Sequence, residues 1–511
     1  MATTNLEALN VVLEKVSGGA YRAKSNLEAL NILCVLGGGV GNHKTNLDAL
    51  NEFANIYNPG SPAQAKAVTI TENGDVDITP DAGYLLSLVQ VHTDVPSLPE
   101  QEKTVTITDN GTVDITPDDG YTLSKATAVV QVSGGESDYN VRAENLGQGK
   151  GLSALITKVS LNGVTGRDLS TAFANITGLK EVVWGNFPTT GNVTLTEMFQ
   201  GCTGLTAIDL SQFRWTVSNM SSMFDGCTRL TAITGLEGLD ISSLNTLYGV
   251  FYNCQELAVI DISGWNTGNV SDFGGLFNNC RKLASIVGLE DLNTTSLTNL
   301  SSTFYNCAAL SQLDISSWDV GKVTSAQYMA YGCTGLTGFV TGAKNFDALT
   351  TAQYMFFGCK NLSNIDVSQW SMPLCTGFQY MFNSCNEITD IDTSMWAASP
   401  QYINNMFAGC TKLCTLNLTG FNTAKLASAS SAWAQCSKLT DLTVSADFGA
   451  NTSLTTLDFS YSPLSHDSAV NLFNNLATRT NTPTLKLSST TKGYLSDDEL
   501  AIATGKGWVI A

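Results

Sequence analysis

The sequence predicts an α+β multidomain chain: short N-terminal helices, two small β-hairpin modules, then a solenoid of period about 26 residues with a C-terminal cap. Three observations predict it. Ten of the 13 cysteines fall in one register, from Cys202 to Cys436, at intervals of 25 to 27 residues. Two segments at an offset of 37 residues each place an Asn-Gly pair between alternating runs. Three near-copies of one capping sequence open the chain. A period near 26 residues means stacked coils, none of which can bury its apolar face alone.

The opening segment, residues 1–60, carries Thr4-Asn-Leu-Glu-Ala-Leu-Asn10, Ser25-Asn-Leu-Glu-Ala-Leu-Asn31 and Thr45-Asn-Leu-Asp-Ala-Leu-Asn51. The first two are Ser/Thr-x-x-Glu capping boxes and Asp48 makes the third a near-match, so three helix starts are expected. Each run stops at a breaker: Gly18-Gly19, Gly37-Gly38-Gly39 or Asn58-Pro59-Gly60. Helices of ~12 residues are marginal alone. They pack either on one another as a bundle or singly, as three equivalent docking peptides that present Leu6, Leu9, Leu27, Leu30, Leu47 and Leu50.

Residues 61–134 hold the two β-modules, a stem. Asn73-Gly74 and Asn110-Gly111 are hairpin signals, and further strands end at Val91 and Val132. Modules this small have little core of their own, so association, as trimers, is expected. Residues 135–165 read as a linker and solenoid N-cap, with Ser133-Gly-Gly-Glu-Ser-Asp-Tyr-Asn140 as the joint.

The solenoid, residues 166–445, repeats a Met-Phe-x-Gly/Asn-Cys stretch, as in Met223-Phe-Asp-Gly-Cys227, then Leu or Ile, then a short alternating run such as Ile260-Asp-Ile-Ser263. Alternation marks a strand with one face in the core. The spacing from Val217 through Met220 and Met223 to Phe224 predicts a helical or 3₁₀ turn on the opposite side. One strand and one short helix per coil is the leucine-rich-repeat plan. The strand aspartates Asp209, Asp261, Asp314 and Asp366 recur every 52 or 53 residues, so coils alternate in pairs. The cysteine column reads as small apolar packing: stacked Cβ vectors run parallel where a disulfide needs convergence, and zinc ligands cluster more tightly. Residues 446–511 form the cap.

Composition narrows function. The chain has 511 residues and a net charge of -19, which excludes a nucleic-acid partner that would need a basic stripe. No apolar run reaches the ~18 residues of a membrane span, and Met1-Ala-Thr-Thr-Asn-Leu-Glu7 has no signal-peptide pattern, so synthesis and folding in a cytoplasm are expected, without membrane insertion. Three dispersed histidines and no HExxH, GxSxG or P-loop motif leave only carboxylate chemistry open, so no enzyme activity, metal or cofactor is expected. Four residues beyond each strand aspartate stands an aromatic, among them Trp265, Trp318 and Trp370. Beside Asp209, Asp261, Asp314 and Asp366 such a row could grip a sugar chain; the competing reading packs each Trp between coils and solvates the aspartates.

The unit Met-Phe-x-x-Cys-x-x-Leu-x-x-Leu-Asp-Leu-Ser-x-Trp resembles the BspA-type leucine-rich repeats of bacterial surface proteins and of phages that infect such bacteria. Members implicated in function are mostly adhesins. The Ile-Thr-Glu-Asn-Gly modules resemble β-modules of phage virion proteins, and the Thr-Asn-Leu-Glu-Ala-Leu-Asn segments are similar to helical anchors of phage head fibres. These resemblances imply a head-fibre or tail-fibre protein on the virion surface. It would dock on capsid or tail proteins through residues 1–60 and bind a host-surface glycan or protein with its solenoid. A bacterial adhesin is the alternative, and a polysaccharide-degrading fibre a third.

Overall fold

A three-residue strand buries almost nothing, so it persists only as one rung of a ladder. The computed structural model builds such a ladder. It describes residues 63–69, 85–92, 100–107, 122–131 and 153–511 apart from 155, 163–166, 186 and 343. The chain divides into two compact units, residues 1–101 with 117–122, and residues 102–116 with 123–511.

In the first unit β1 (Ala63–Thr69) pairs parallel with β2 (Leu85–His92). In the second, β3 (Glu100–Ile107), β4 (Thr122–Gln131), β5 (Ile156–Asn162) and β6 (Glu181–Val183) lie side by side. β1 and β2 recur as β3 and β4 at the 37-residue offset of the sequence repeat. The Asn73-Gly74 and Asn110-Gly111 turns and the three helix starts fall outside the described residues. β4 pairs parallel with β5, so one sheet crosses from the second β-module into residues 135–165.

From there the chain is a parallel solenoid. Strands Ala207–Asp209 and Ala232–Thr234 pair in register, as do Val259–Asp261 with Ser285–Val287 and Gln312–Asp314 with Gly338–Val340. The middle residue of each points inward: Ile208, Ile260 and Leu313 are buried between exposed neighbours.

The side opposite the strands corrects the helix expectation. No coil has a helix there among the described residues. The two 3₁₀ turns, Leu236–Gly238 and Thr423–Lys425, follow strands instead. The backbone alternates between two kinds of partner. Met223, Asp225 and Cys227 N–H groups donate within the coil to Met220, Ser222 and Phe224 carbonyls at 3.1, 3.1 and 3.0 Å. Between them, Ser222, Phe224 and Gly226 N–H groups donate to Tyr248, Val250 and Tyr252 of the next coil at 3.0, 2.9 and 2.9 Å. A helix would spend every N–H on its own coil. Two left-handed residues per coil prevent that; in this coil they are Ser222 at φ 54° and Gly226 at φ 75°. The Gly or Asn before eight of the ten column cysteines is this requirement written into sequence, with Ser384 and Gln435 meeting it before the other two.

Inside, phenylalanines stack coil upon coil: Phe173, Phe199, Phe224, Phe251, Phe277 and Phe304 follow at 5.1, 5.5, 5.9, 5.5 and 5.8 Å between ring centroids. Ala330 interrupts the stack, and its coil carries Phe339 on the strand where its neighbours carry Leu313 and Ile365. The Phe339 ring meets Phe356 edge-on at 4.8 Å, so bulk lost at one inward position returns at another.

The cap continues the ladder with Thr456–Phe459, Thr484–Leu487 and Val509–Ile510, then covers it with helices α1 (His466–Asn475), α2 (Ser489–Lys492) and α3 (Asp497–Gly505). Ser465, Ser488 and Ser496 cap their N-termini, the last as a full capping box with Glu499. The buried Arg479 guanidinium donates to the Gly449 and Leu454 carbonyls and lies 5.6 Å from the Trp508 ring centroid.

Candidate functional site

The strand ladder sets out one exposed side chain per coil at its third position. Register places Thr234 beside Asp209, Val287 beside Asp261 and Val340 beside Asp314. The four aspartates are exposed as expected, but each stands two coils, roughly 9–10 Å, from the next at a ladder spacing of ~4.8 Å. Each also works locally. Oδ1 of Asp209, Asp261, Asp314 and Asp366 accepts the N–H two residues on, from Ser211, Ser263, Ser316 and Ser368, at 2.8, 3.0, 2.8 and 2.9 Å. These are Asx turns that end the strand. Hydrogen bonds from Ser211, with Thr234 adding to them, hold the Asp209 carboxyl below its ordinary range. Ser263 does the same for Asp261, and Ser368 for Asp366.

The aromatic row is not on this face. Trp265, Trp318 and Trp370 are 4%, 2% and 0% exposed, which corrects the sugar-stacking reading of these residues. Their indole N–H groups donate to Leu236 O, Leu289 O and Thr341 Oγ1 at 3.0, 3.1 and 2.9 Å, each in the coil before. The physical reason is twofold. A ring at this position fills the space between coils, and its single N–H finds a partner only in that interior.

The cysteine column is buried and its thiols are free. Each Sγ points back one coil: Cys202, Cys280 and Cys333 donate to Phe173 O, Phe251 O and Phe304 O at 2.9, 3.0 and 3.0 Å. Burial pushes the Cys202, Cys280 and Cys333 thiols up to about 12, so they stay protonated and donate. Among the described residues no group of three or more His, Cys, Asp or Glu is placed to hold a metal ion, and no helix is long and apolar enough to cross a membrane.

A feature of the turn side escaped the sequence reading. Gln327-Tyr328, Gln353-Tyr354 and Gln379-Tyr380 recur at 26-residue intervals. Tyr328, Tyr354 and Tyr380 stack at 4.8 and 4.6 Å, and a second column of Tyr305, Tyr331 and Phe357 stacks at 4.6 and 4.7 Å. Tilted contacts join the columns, such as Tyr328 to Tyr331 at 5.8 Å and 62°, into a herringbone of six half-buried rings. Tyr328, Tyr354 and Tyr380 each adopt a left-handed backbone, at φ 59°, 58° and 59°. Gln327 Nε2 donates to Gln353 Oε1 at 3.3 Å, while Gln379 Oε1 is buried without a partner. The repeated Gln-Tyr pair was the available signal. The six candidate anchor leucines, Leu6, Leu9, Leu27, Leu30, Leu47 and Leu50, lie outside the described residues.

The model of the family described as "Mycoplasma protein of unknown function, DUF285" matches residues 154–257, 245–347 and 341–445. No curated protein matches. Among solved structures, a leucine-rich repeat protein from Bacteroides ovatus is 15% identical, with 76% of this chain and 88% of that chain covered and a TM-score of 0.34. A leucine-rich cell surface protein from Faecalibacterium prausnitzii is 16% identical, with 63% and 88% covered and a TM-score of 0.31. An internalin from Listeria monocytogenes is 14% identical, with 66% and 82% covered and a TM-score of 0.21.

Proposed function

The chain belongs to the family described as Mycoplasma protein of unknown function, DUF285, and from that premise we propose that it is a non-catalytic interaction protein of a bacterial surface, with the solenoid as its adhesive part. One observation carries the reading. The interior repeats Phe and Cys almost coil for coil, while the outward third strand position runs Asp209, Thr234, Asp261, Val287, Asp314 and Val340. A constant core under a variable exterior is a scaffold for recognising an extended partner, here a host-surface glycan or protein. The resemblance of the Met-Phe-x-x-Cys unit to repeats of surface adhesins supports the same assignment.

A second reading, the phage head or tail fibre, is favoured by the three Asn-Leu-Glu/Asp-Ala-Leu-Asn copies in residues 1–60. There Leu6, Leu9, Leu27, Leu30, Leu47 and Leu50 would dock on capsid or tail proteins, and the β-modules would trimerise as a stem. Both readings use the solenoid alike and differ in what carries it. Immunogold microscopy with antibody against residues 166–445 separates them, applied to producing cells and to any phage particles they release. Gold along the cell envelope is expected. Gold on particles would move the protein to the virion surface, where deletion of residues 1–60 would abolish incorporation while the solenoid stays folded. Label confined to the cell interior would overturn both.

A further inference from the structure

Resting on the reading of the chain as an adhesive protein, we infer that its ligand site lies on the turn side and takes a neutral polysaccharide, bound along the tyrosine herringbone and the Gln327–Gln353–Gln379 row. Strain gives the first argument. The left-handed position five residues before each column cysteine is filled by Ser222, Ser302, Asn405 and Ser431, by Gly249 and Gly275, and at the start of the array by Glu197 and, one coil earlier, Thr171. Only three adjacent coils put an aromatic there, where a bulky side chain is an outlier. Nothing in the coil geometry asks for it, since serine, asparagine and glycine build the same turn. Thr171 and Glu197 show that the turn bears other side chains at the array's start. Only here does strain come with an aromatic run in adjacent coils, which marks a site rather than a scaffold.

Hydrogen bonding gives the second. None of the five tyrosine hydroxyls has a protein partner among the described residues, and none is among the buried unpaired atoms, so all five face solvent. Burial and neighbouring phenols raise the Tyr305 and Tyr354 hydroxyls above their ordinary range, which keeps them donors. The glutamine amides beside them both donate and accept. Stacking holds the rings in place, so little side-chain freedom remains to be lost on binding. The stacked faces cover one another, so a ligand meets ring edges, hydroxyls and amides, repeated coil by coil.

Charge selects the ligand class. Across the turn segments 298–309, 324–335, 350–361 and 376–387 the charged residues are Lys360 and Glu387 alone, the latter paired with Lys412 at 2.6 Å, on a chain of net charge -19. A basic peptide would find no unpaired carboxylate there, and an anionic polymer would meet a single lysine on a repelling chain. A polymer of uncharged sugars, with a donor and acceptor on every hydroxyl, matches paired phenols and amides.

The test is affinity electrophoresis of the full chain in gels containing dextran, mannan or galactan. The wild type is compared with the triple variant Tyr328→Asn, Tyr354→Asn, Tyr380→Asn, and with Asp261→Asn, Asp314→Asn on the strand face. Asparagine is native to this turn at Asn405, so the triple variant keeps the backbone turn while losing ring stacking, and circular dichroism checks that it is folded at the temperature of the gels. Expected are retardation of the wild type by at least one polysaccharide, affinity lower by about tenfold or more in the triple variant, and no change in the strand-face variant. Equal retardation of the triple variant, or loss in the strand-face variant, would overturn the site. No retardation of the wild type in any gel would overturn the ligand class. So would sedimentation showing a wild-type oligomer that the triple variant loses, which would make a second copy the occupant. Immunogold reads display and these gels read ligand, so the adhesive reading and this site fail separately.

Discussion

A buried thiol that donates to the carbonyl one coil back is the smallest device in this solenoid. The cysteine register was plain in the sequence, and with it the choice of a small apolar group over a disulfide. The bond to Phe173 O or Phe251 O was not, because its acceptor belongs to another coil. The thiols make stability depend on pH in a defined direction. Unfolded cysteines ionise near 9.0, while Cys202, Cys280 and Cys333 stay neutral up to about 12 when folded. The unfolded chain therefore sheds protons first, and stability is whole below pH 9 and falls as pH climbs towards 12. Asp209, Asp261 and Asp366 act in reverse: their folded carboxyls sit below the ordinary 3.8, so their contribution is present above that pH and is lost as pH falls through the depressed values. Urea midpoints should hold level between the two limbs and drop at both ends. Alkylation of the native chain at neutral pH should modify Cys414 and spare the ten column cysteines, as peptide mass mapping would show. At Trp318, replacement by Ala should cost about 3–5 kcal/mol in chemical denaturation, because the ring fills the core and its N–H is paired.

At the scale of the element, the two-coil rhythm has a steric cause. Coils with Asp-x-Ser end their strand in an Asx turn, and at Ser211 and Ser263 the next coil passes that serine closely with a glycine. Gly342 keeps clear of Ser316, and Ser368 is followed by a second serine turn at Ser394. A Cβ on Gly288, at φ 85°, would lie 2.3 Å from Ser263 Cα, and one on Gly235, at φ 88°, would lie 2.2 Å from Ser211 N. Gly288→Ala should therefore cost roughly 3 kcal/mol or more, the sum of left-handed strain and overpacking, measured by the shift in urea midpoint. The rhythm was legible in the 52- and 53-residue spacing of the aspartates. The turn side was misread as helix because inward residues at intervals of three and four, as from Val217 to Phe224, arise equally from a run of β-turns. Gly226, Asn253, Asn279 and Asn306 before the cysteines carried the missing information, since a residue type enriched at positive φ once per coil is incompatible with a continuing helix.

Across the whole molecule, interior and exterior differ in how far sequence exposes them. Periodicity constrains what must pack, so the solenoid and its core columns were readable, while the cap was expected from the resemblance of the ending. Outward positions answer only to a partner, and the strand tryptophans admitted both a ligand row and packing between coils until the ladder turned them inward. The cap is where the array meets water. Removing residues 446–511 would expose the ladder edge at Asp441–Val444 and the inner side of Leu442, now packed under α1. The truncated chain should aggregate on size-exclusion chromatography, whereas the capped solenoid runs as a defined species.

The contact of glycine with serine across neighbouring coils also bears on inheritance. Where the fit is tight, at Ser211 with Gly235 and Ser263 with Gly288, a recombination that removed one coil would break it, whereas Ser368 and Ser394 already stand in adjacent coils as serine turns. One that removed or copied a pair would restore it. Viable length variants within codons 209–290 should then differ by steps of 52 or 53, and those beyond codon 366 by single coils as well. The array then changes by jumps near its start and by single coils near its cap, while the chemistry of each coil is preserved.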